Sequence, residues 1–363
     1  MSKPILVAVD CGSGNVTVCF ELNGELKKAT IPARIRKGNA QSFDTEASTT
    51  WSTTDEYNDE AFYSVVTRGS DLIDTCDPNY QVSPAHRVLV INALAQLGLG
   101  GKEVIIGETL PADQYYGAEA LNYPRIEEKK ISLQKPVKNF SGKLKAPKIL
   151  GVKVYPEAVP AVFSASLLPD GELDPRFERV KTKLVIDLGR FTCDIAYLDE
   201  DNNVVSKYTS ENGVHTMLKE IHSTLQEKGK ELGISDPKAI SIDAIDRFIR
   251  DGGRIASAWD DSDSIDLSAI IEQAALNLTH RVKEDIRACW RDLTEVDVMI
   301  VVGGGANYIG GKLPYLAKKQ DLRKAWERPV FIPDYPEFSI SYGVYLSMQY
   351  SADKLLEQFS KEA

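Results

Sequence analysis

Short stretches of apolar residues near the N-terminus predict β-strands. Three of them, at 4–9, 15–22 and 26–31, follow one another closely along the chain. Asn23-Gly24 separates the last two, and this dipeptide favours a tight hairpin turn. The chain therefore begins with three consecutive strands, of which the last two form a hairpin.

Beyond these strands the pattern changes from polar to helical and back to strand. Residues 38–82 have no long apolar period and predict loops and short strands at a surface. Ser83-Pro84 then predicts a helix start, since Ser caps helices and Pro suits their first turn, and Gly98 closes the apolar period. A strand follows at 103–107. This alternation predicts an α/β protein whose sheet includes parallel strands.

The pattern of the N-terminus recurs in the second half of the chain. Residues 183–208 again consist of an apolar strand, Asp, one residue, Gly, a second strand, a polar turn and a third strand. Helical periods follow at 214–232 and 267–293, and the strand 298–302 leads into a glycine triplet. The recurrence predicts an internal repeat and two domains of related architecture.

Composition and charge narrow the possible functions. The chain is 43% apolar and 26% charged, which is typical of a soluble globular protein with a packed core. The formal charge of −10 repels phosphate backbones, so we expect no direct DNA binding. The five cysteines include no C-x-x-C pair, and no apolar run reaches the length of a membrane span. We therefore expect a cytoplasmic protein without a membrane partner.

One segment departs from the acidic character of the chain. Residues 129–153 contain eight lysines and no acidic residue. The simplest interpretation is a solvated hairpin or edge strand that its lysines protect from aggregation. A contact with a partner or a neighbouring filament subunit is the second interpretation, and DNA binding is the third.

Standard hydrolytic chemistry finds no support in the sequence. Gly12-Ser13-Gly14 lacks the G-x-S-x-G spacing of a serine nucleophile, and the four histidines lie in or beside helical segments. Histidine and cysteine clusters at metal-ligand spacing are absent from the sequence. A different chemistry must account for the glycine-rich turns.

The repeated Asp-x-Gly turn offers that chemistry. A strand that ends in Asp-x-Gly presents a carboxylate and the backbone N–H groups of a tight turn, which together suit a phosphate and its metal ion. Two such turns facing one phosphate chain would let Asp10 and Asp187 hold hydrated magnesium through water. With Gly303-Gly304-Gly305 after a later strand, the combination predicts ATP in an interdomain cleft.

These motifs resemble those of the actin-like ATPases, the superfamily that includes sugar kinases and the seventy-kilodalton heat-shock chaperones. Residues 10–14 are similar to the first phosphate motif, 187–194 to the second, and 303–306 to the adenosine motif. Residues 154–161 are similar to the first connecting helix and 339–346 to the second. The resemblance covers the whole chain. It implies an α/β, actin-like fold of two related, ribonuclease H-like domains, 1–170 plus 338–363 and 171–337, with nucleotide between them.

The resemblance also implies site residues, carried over by position. Glu157 would polarise the attacking water, and Asp187 would organise magnesium and that water. Asp10 and Asp187 would bind the magnesium ion through water. The expected nucleotide-binding residues are Asp10, Gly12, Ser13, Gly14, Asn15, Gly189, Arg190, Thr192, Asn212, Gly213, Gly303, Gly304, Gly305 and Ala306. The alternative for Glu157 is a carboxylate that only interacts favourably with a helix dipole.

Within the superfamily, the chain is most similar to the ParM or StbA branch, the plasmid-segregation actins of bacteria. Thr109-Leu110-Pro111, Tyr115-Tyr116 and the lysine-rich stretch carry this likeness. The branch implies a filament of many copies that assembles with ATP, or with GTP, hydrolyses it and separates plasmid copies. A ParR-like adaptor on a centromere-like DNA site would link the filament to the plasmid. A non-polymerising ATPase and a small-molecule kinase of the same superfamily remain alternatives.

Two positions differ from the actin pattern. Actins have a phosphate-binding lysine where this chain has Thr17, and Arg190-Phe191 replaces glycine and a small residue in the second turn. We hypothesise that Arg190 supplies the missing positive charge, because its guanidinium suits phosphate oxygens. The alternative is that Arg190 points into solvent.

Overall fold

The computed structural model describes residues 3–39, 49–67, 69, 71–117, 120–168, 170–256, 264–290, 292–310 and 321–360. Its chain forms two compact units. Unit 1 is Met1–Phe177 with Phe338–Ala363, and unit 2 is Glu178–Glu337. The first segment of unit 1 ends at Phe177, whereas the sequence predicts a domain boundary at residue 170.

Strands and helices alternate through both units. The strands are β1 (Ile5–Cys11), β2 (Asn15–Leu22), β3 (Glu25–Pro32), β4 (Ile35–Lys37), β5 (Thr50–Thr54), β6 (Glu60–Val65), β7 (Glu103–Leu110), β8 (Val137–Asn139), β9 (Lys148–Pro156), β10 (Lys183–Leu188), β11 (Cys193–Leu198), β12 (Val204–Ser210), β13 (Arg254–Ile255), β14 (Ile265–Asp266), β15 (Val298–Val302) and β16 (Val330–Phe331). The helices are α1 (Pro84–Leu94), α2 (Ala112–Tyr115), α3 (Tyr123–Gln134), α4 (Ala161–Ser166), α5 (Val214–Lys228), α6 (Ile242–Arg250), α7 (Ser268–Cys289), α8 (Ala306–Ile309), α9 (Leu322–Trp326), α10 (Ser339–Tyr350) and α11 (Ala352–Ser360).

The main sheet of unit 1 has the strand order β3-β2-β1-β7-β9. The strands β1, β2 and β3 are antiparallel neighbours, whereas β7 and β9 run parallel to β1. Asn23 and Gly24 both have positive φ, at 56° and 78°, which is the backbone that the predicted hairpin turn requires. The three predicted N-terminal strands and the parallel fourth strand are confirmed.

The main sheet of unit 2 repeats this arrangement. Its order is β12-β11-β10-β15-β16, with β10, β11 and β12 antiparallel and β15 and β16 parallel to β10. The internal repeat that the sequence predicts is therefore present at the level of strand order and direction. Both copies place the first strand in the centre, so its carboxyl end lies beside that of a parallel neighbour.

Both faces of the first sheet are buried. Val7 and Val9 of β1 lie in the cluster that contains α1, while Leu6 and Ala8 lie in the cluster that contains α10. Successive side chains of a strand point to opposite faces, so this split follows from the period of two. Gly107 of β7 allows α10 to approach closely, since a Cβ there would overlap Met348.

The polar stretch after β3 contributes a second sheet to unit 1, of order β4-β6-β5-β8. Trp51 of β5 is fully buried, and its indole N–H donates to Asn92 Oδ1 of α1 at 3.0 Å. Ser83 caps α1 by accepting from the amide of His86, as the sequence predicts. Within the described residues, no helix combines the length and apolar composition that crossing a membrane needs.

The first connecting helix differs from the expectation. Residues 154–156 belong to β9 because they pair with Glu108–Leu110 of β7, and α4 begins only at Ala161. Pro156 also disfavours helical backbone at the residue before it. The second expected helix is confirmed as α10.

Candidate functional site

Asp10 lies at the carboxyl end of β1, where the first predicted phosphate motif begins. Thr109 Oγ1, at the end of the parallel strand β7, donates to Asp10 Oδ1 at 2.8 Å. Burial raises the pKa of Asp10 to about 6, although the hydrogen bond from Thr109 acts in the opposite direction. A cation placed beside this carboxyl would stabilise its charged form and lower its pKa.

The turn after Asp10 is held by bonds to its carbonyl groups. Thr75 Oγ1 donates to the carbonyl of Ser13 at 2.7 Å, and the amide of Ala33 donates to the carbonyl of Gly14 at 3.0 Å. Gly12, Ser13 and Gly14 are half-buried, whereas Asn15 is exposed at the start of β2. These contacts define the backbone path of the turn without using its N–H groups.

Glu157 lies at the same edge of the sheet as Asp10. It follows β9 directly, and its amide donates to the carbonyl of Leu110 at 2.8 Å. Ala158 has a positive φ of 66°, which turns the chain away from the strand before α4 starts. Glu157 lies before α4, outside its first turn, and its role stays a prediction.

A buried polar cluster beneath this edge was not predicted. Lys129 of α3 is fully buried, with Nζ 2.5 Å from Glu108 Oε2, 2.6 Å from Gln81 Oε1 and 3.1 Å from His86 Nε2. Glu108 is the register partner of Val9, immediately before Asp10. The solvated interpretation of the lysine-rich segment is therefore wrong for Lys129, because a carboxylate inside the fold neutralises it.

The same cluster could suggest a metal site, but a lysine already supplies its positive charge. Ligand atoms of Cys11, His86 and Glu108 lie within 4.8 Å of one another. Lys129 Nζ contacts both the His86 ring and the Glu108 carboxylate. The sequence signal for this cluster was Glu108 itself, an acidic residue that closely follows the apolar run of residues 104–106.

The second hairpin has the same backbone plan in unit 2. Asp187 is the penultimate residue of β10 and pairs with Asp194 of β11. The amide of Gly189 donates to the carbonyl of Thr192 at 2.9 Å and closes the turn, while Thr192 Oγ1 donates to Asp194 Oδ2 at 2.9 Å. The hydroxyl of Thr192 therefore stabilises the hairpin.

The start of α5 packs against this hairpin. The amides of Val214 and His215 donate to the carbonyls of Gly189 and Arg190 at 3.1 and 2.7 Å. Gly213 is required by this approach, since a Cβ there would overlap the carbonyl carbon of Phe191. Asn212 faces another element: its Nδ2 donates to Asp285 Oδ2 of α7 at 2.7 Å.

The glycine triplet contacts the second hairpin directly. Gly303 has a φ of 80°, and a Cβ at this position would overlap Asp187 Oδ1. The amide of Gly305 donates to the carbonyl of Leu188 at 2.8 Å. Gly304 is exposed and α8 begins at Ala306, so the triplet forms an open turn between strand and helix. The structure thus brings the second and third predicted motifs together within unit 2.

Arg190 forms ion pairs with two carboxylates. Its Nη1 lies 2.9 Å from Asp246 Oδ2 and its Nη2 lies 2.9 Å from Asp243 Oδ1, both on α6. The side chain is 20% exposed, so the solvent alternative is wrong. Its role as the phosphate cation stays a prediction, because a phosphate would compete with these carboxylates.

The donor set fits magnesium and a nucleotide phosphate. In each unit a half-buried carboxylate, Asp10 or Asp187, is the penultimate residue of the central strand and lies beside a glycine turn. Carboxylate oxygens suit magnesium, and glycine turns let backbone amides approach phosphate closely. A cavity of about 660 Å³ also exists in unit 1, beside Tyr80 and Arg87, but none of the predicted nucleotide residues lines it.

Comparison with known families agrees with these observations. Residues 5–167 match the family described as plasmid segregation protein ParM, N-terminal. Residues 185–314 match the family described as archaeal actin homologue MreB-like, C-terminal. No curated protein sequence matches the chain significantly.

Solved structures of similar fold span almost the whole chain. The archaeal actin homologue Ta0583 superposes with a TM-score of 0.71 at 18% identity, covering 96% of this chain and 100% of its own. The actin-like protein Alp7A gives 0.73 at 15% identity, covering 99% and 100%. The apo pSK41 ParM protein gives 0.64 at 16% identity, covering 98% and 99%. At these identities the likeness shows the fold.

Fold and family matches together define a protein of the actin-like class. Within this class, residues 5–167 are similar to the N-terminal domain of the ParM-type plasmid segregation family. Residues 185–314 are similar to the C-terminal domain of the archaeal MreB-like actin homologues.

Proposed function

We propose that this protein is an ATP-dependent, filament-forming ATPase that segregates low-copy plasmid DNA. The observation that supports it most is the repeated geometry at the sheet edge. In each unit a carboxylate near the end of the central strand precedes a glycine turn, and the two sheets have the same strand order. A ParM filament from Clostridium botulinum is among the structures of similar fold, at 17% identity and a TM-score of 0.64. By analogy with that filament, we propose that many copies of this chain assemble.

The glycine turns are proposed to bind the nucleotide. Backbone amides of residues 12–15 and 190–192 would donate to phosphate oxygens, while Gly189 closes the second turn. The open turn at residues 303–306 would accept adenine and ribose against its backbone. Ta0583, a protein of the same fold, has been solved in complex with ADP. We expect ATP as the main nucleotide, with GTP as the second candidate.

Hydrolysis is proposed to depend on carboxylates at the sheet edges. Asp10 and Asp187 would hold magnesium through water, which neutralises charge on the phosphates. Glu157 would orient the attacking water and take up its proton. The half-buried position of Glu157 beside the end of β7 supports this role, since it is held by a backbone bond to Leu110.

The proposed partners are other copies of the chain and an adaptor. A ParR-like protein bound to a centromere-like site would connect the filament to plasmid DNA, since the acidic chain itself is unsuited to DNA. The proposed compartment is the bacterial cytoplasm.

Right-angle light scattering and phosphate release after addition of magnesium and ATP test this function. The wild type should scatter above a threshold concentration and then decay as ATP is consumed. Glu157→Gln should assemble equally but persist, with phosphate release at least 100-fold slower, roughly the low end expected for a lost general base. Glu172→Gln, an exposed position, should behave like the wild type.

Two results would redirect the assignment. Steady ATP turnover without scattering at any concentration would contradict filament assembly and favour a non-polymerising ATPase. Turnover that requires a sugar or another small hydroxyl compound would favour a kinase of the same superfamily.

A further inference from the structure

A buried carboxylate on α6 connects two of the proposed nucleotide-binding segments. Asp246, whose side chain is 4% exposed, accepts from Arg190 Nη1 at 2.9 Å and from Tyr308 Oη at 2.9 Å. Arg250 of the same helix forms a third contact with it. Arg190 directly follows Gly189 of the second hairpin, and Tyr308 lies in α8 after the glycine triplet. One carboxylate therefore holds side chains from both segments.

The second carboxylate that binds Arg190 lies in a different environment. Asp243 is one helical turn earlier on α6, and its side chain is 56% exposed. An exposed ion pair contributes little because water screens it, whereas breaking a buried pair leaves an uncompensated charge. The two contacts of Arg190 are equal in length, at 2.9 Å, but unequal in strength.

We propose that Asp246 is the permanent anchor of Arg190 and that Asp243 is an exchangeable partner, which a phosphate of the bound nucleotide replaces at Nη2. This inference rests on the proposed nucleotide site. A guanidinium has five N–H donors in a rigid fork, so it keeps its bond to Asp246 while its other edge binds a phosphate oxygen. Asp243 thereby acts as a built-in competitor that lowers affinity for phosphate-bearing ligands.

Calorimetric titration of the full chain with magnesium and ATP, ADP or adenosine tests the exchange. Asp243→Asn should bind ATP and ADP about 1.5- to five-fold more tightly than wild type, the range expected for losing an exposed ion pair. Adenosine, which lacks phosphate, should bind both proteins equally. Asp251→Asn removes the same charge from an exposed position at the end of α6 and should leave all three affinities unchanged.

A double-mutant cycle provides the decisive comparison. In an Arg190→Ala background, Asp243→Asn should no longer change ATP affinity, because the guanidinium for which Asp243 competes is absent. Three results would overturn the exchange while leaving the nucleotide site intact. Asp243→Asn could tighten binding even without Arg190, Asp251→Asn could have an equal effect, or Asp243→Asn could leave binding unchanged. A wild type that binds neither ATP nor GTP would overturn the proposed function itself.

Discussion

His86 shows how one buried side chain can make stability depend on pH. Burial and the neighbouring Lys129 lower its pKa to about 4, below the usual value of about 6.5. The folded protein therefore keeps His86 neutral, while the unfolded chain binds a proton below pH 6.5. This difference costs stability progressively as the pH falls from 6.5 towards 4.

We expect His86→Gln to lose less stability than the wild type as the pH falls from 6.5 to 4. From the shift in pKa, His86 accounts for a loss of about 2 to 3 kcal/mol between pH 6.5 and 4. Urea unfolding of both proteins at several pH values measures it. Asp10, whose pKa is raised, stabilises the folded state as the pH falls, but it does so equally in both proteins. Equal slopes for the two proteins would show that His86 is not the titrating group.

At the scale of elements, the packing of α10 on α4 depends on one glycine. A Cβ on Gly343 would overlap the carbonyl oxygen of Pro160, just before α4. Gly343→Ala should therefore destabilise unit 1 by about 1 to 3 kcal/mol despite the better helix propensity of Ala, since backbone must move. Thermal unfolding measures this change.

An exposed position on the same helix provides the control. Tyr350 is 97% exposed, so Tyr350→Ala should change stability by no more than about 0.5 kcal/mol. If Gly343→Ala is as stable as this control, the close approach of the two helices is not maintained in solution.

At the scale of the whole molecule, net charge should control the proposed assembly. Copies that each carry −10 repel one another, and salt screens that repulsion. Raising potassium chloride from about 0.05 M to about 0.3 M should lower the critical concentration for pelleting with ATP by about two-fold or more. Sucrose at matched osmolality is the control. A rise with salt would instead indicate attractive ion pairs, with the exposed Lys138, Lys143, Lys145 and Lys148 as the first candidates.

Local sequence determined the strands, turns and repeat of this protein. Asn23-Gly24 favours one turn type, and Asp-x-Gly after an apolar stretch marks the end of a strand. Both features depend only on residues that are neighbours in the sequence. The positions of Asp10, Asp187 and the glycine triplet at strand ends follow from the same local rules.

Tertiary structure alone decided which polar side chains meet. Lys129 is one of eight lysines in residues 129–153, yet only the packing of α3 places it against Glu108. Contacts with α6 likewise keep Arg190 largely out of solvent. Pairing with β7 also extends β9 through residues 154–156, whose sequence is similar to that of a connecting helix. These outcomes depend on contacts between elements that are far apart in the chain. Burial by those elements determines how much free energy an unpaired charge costs.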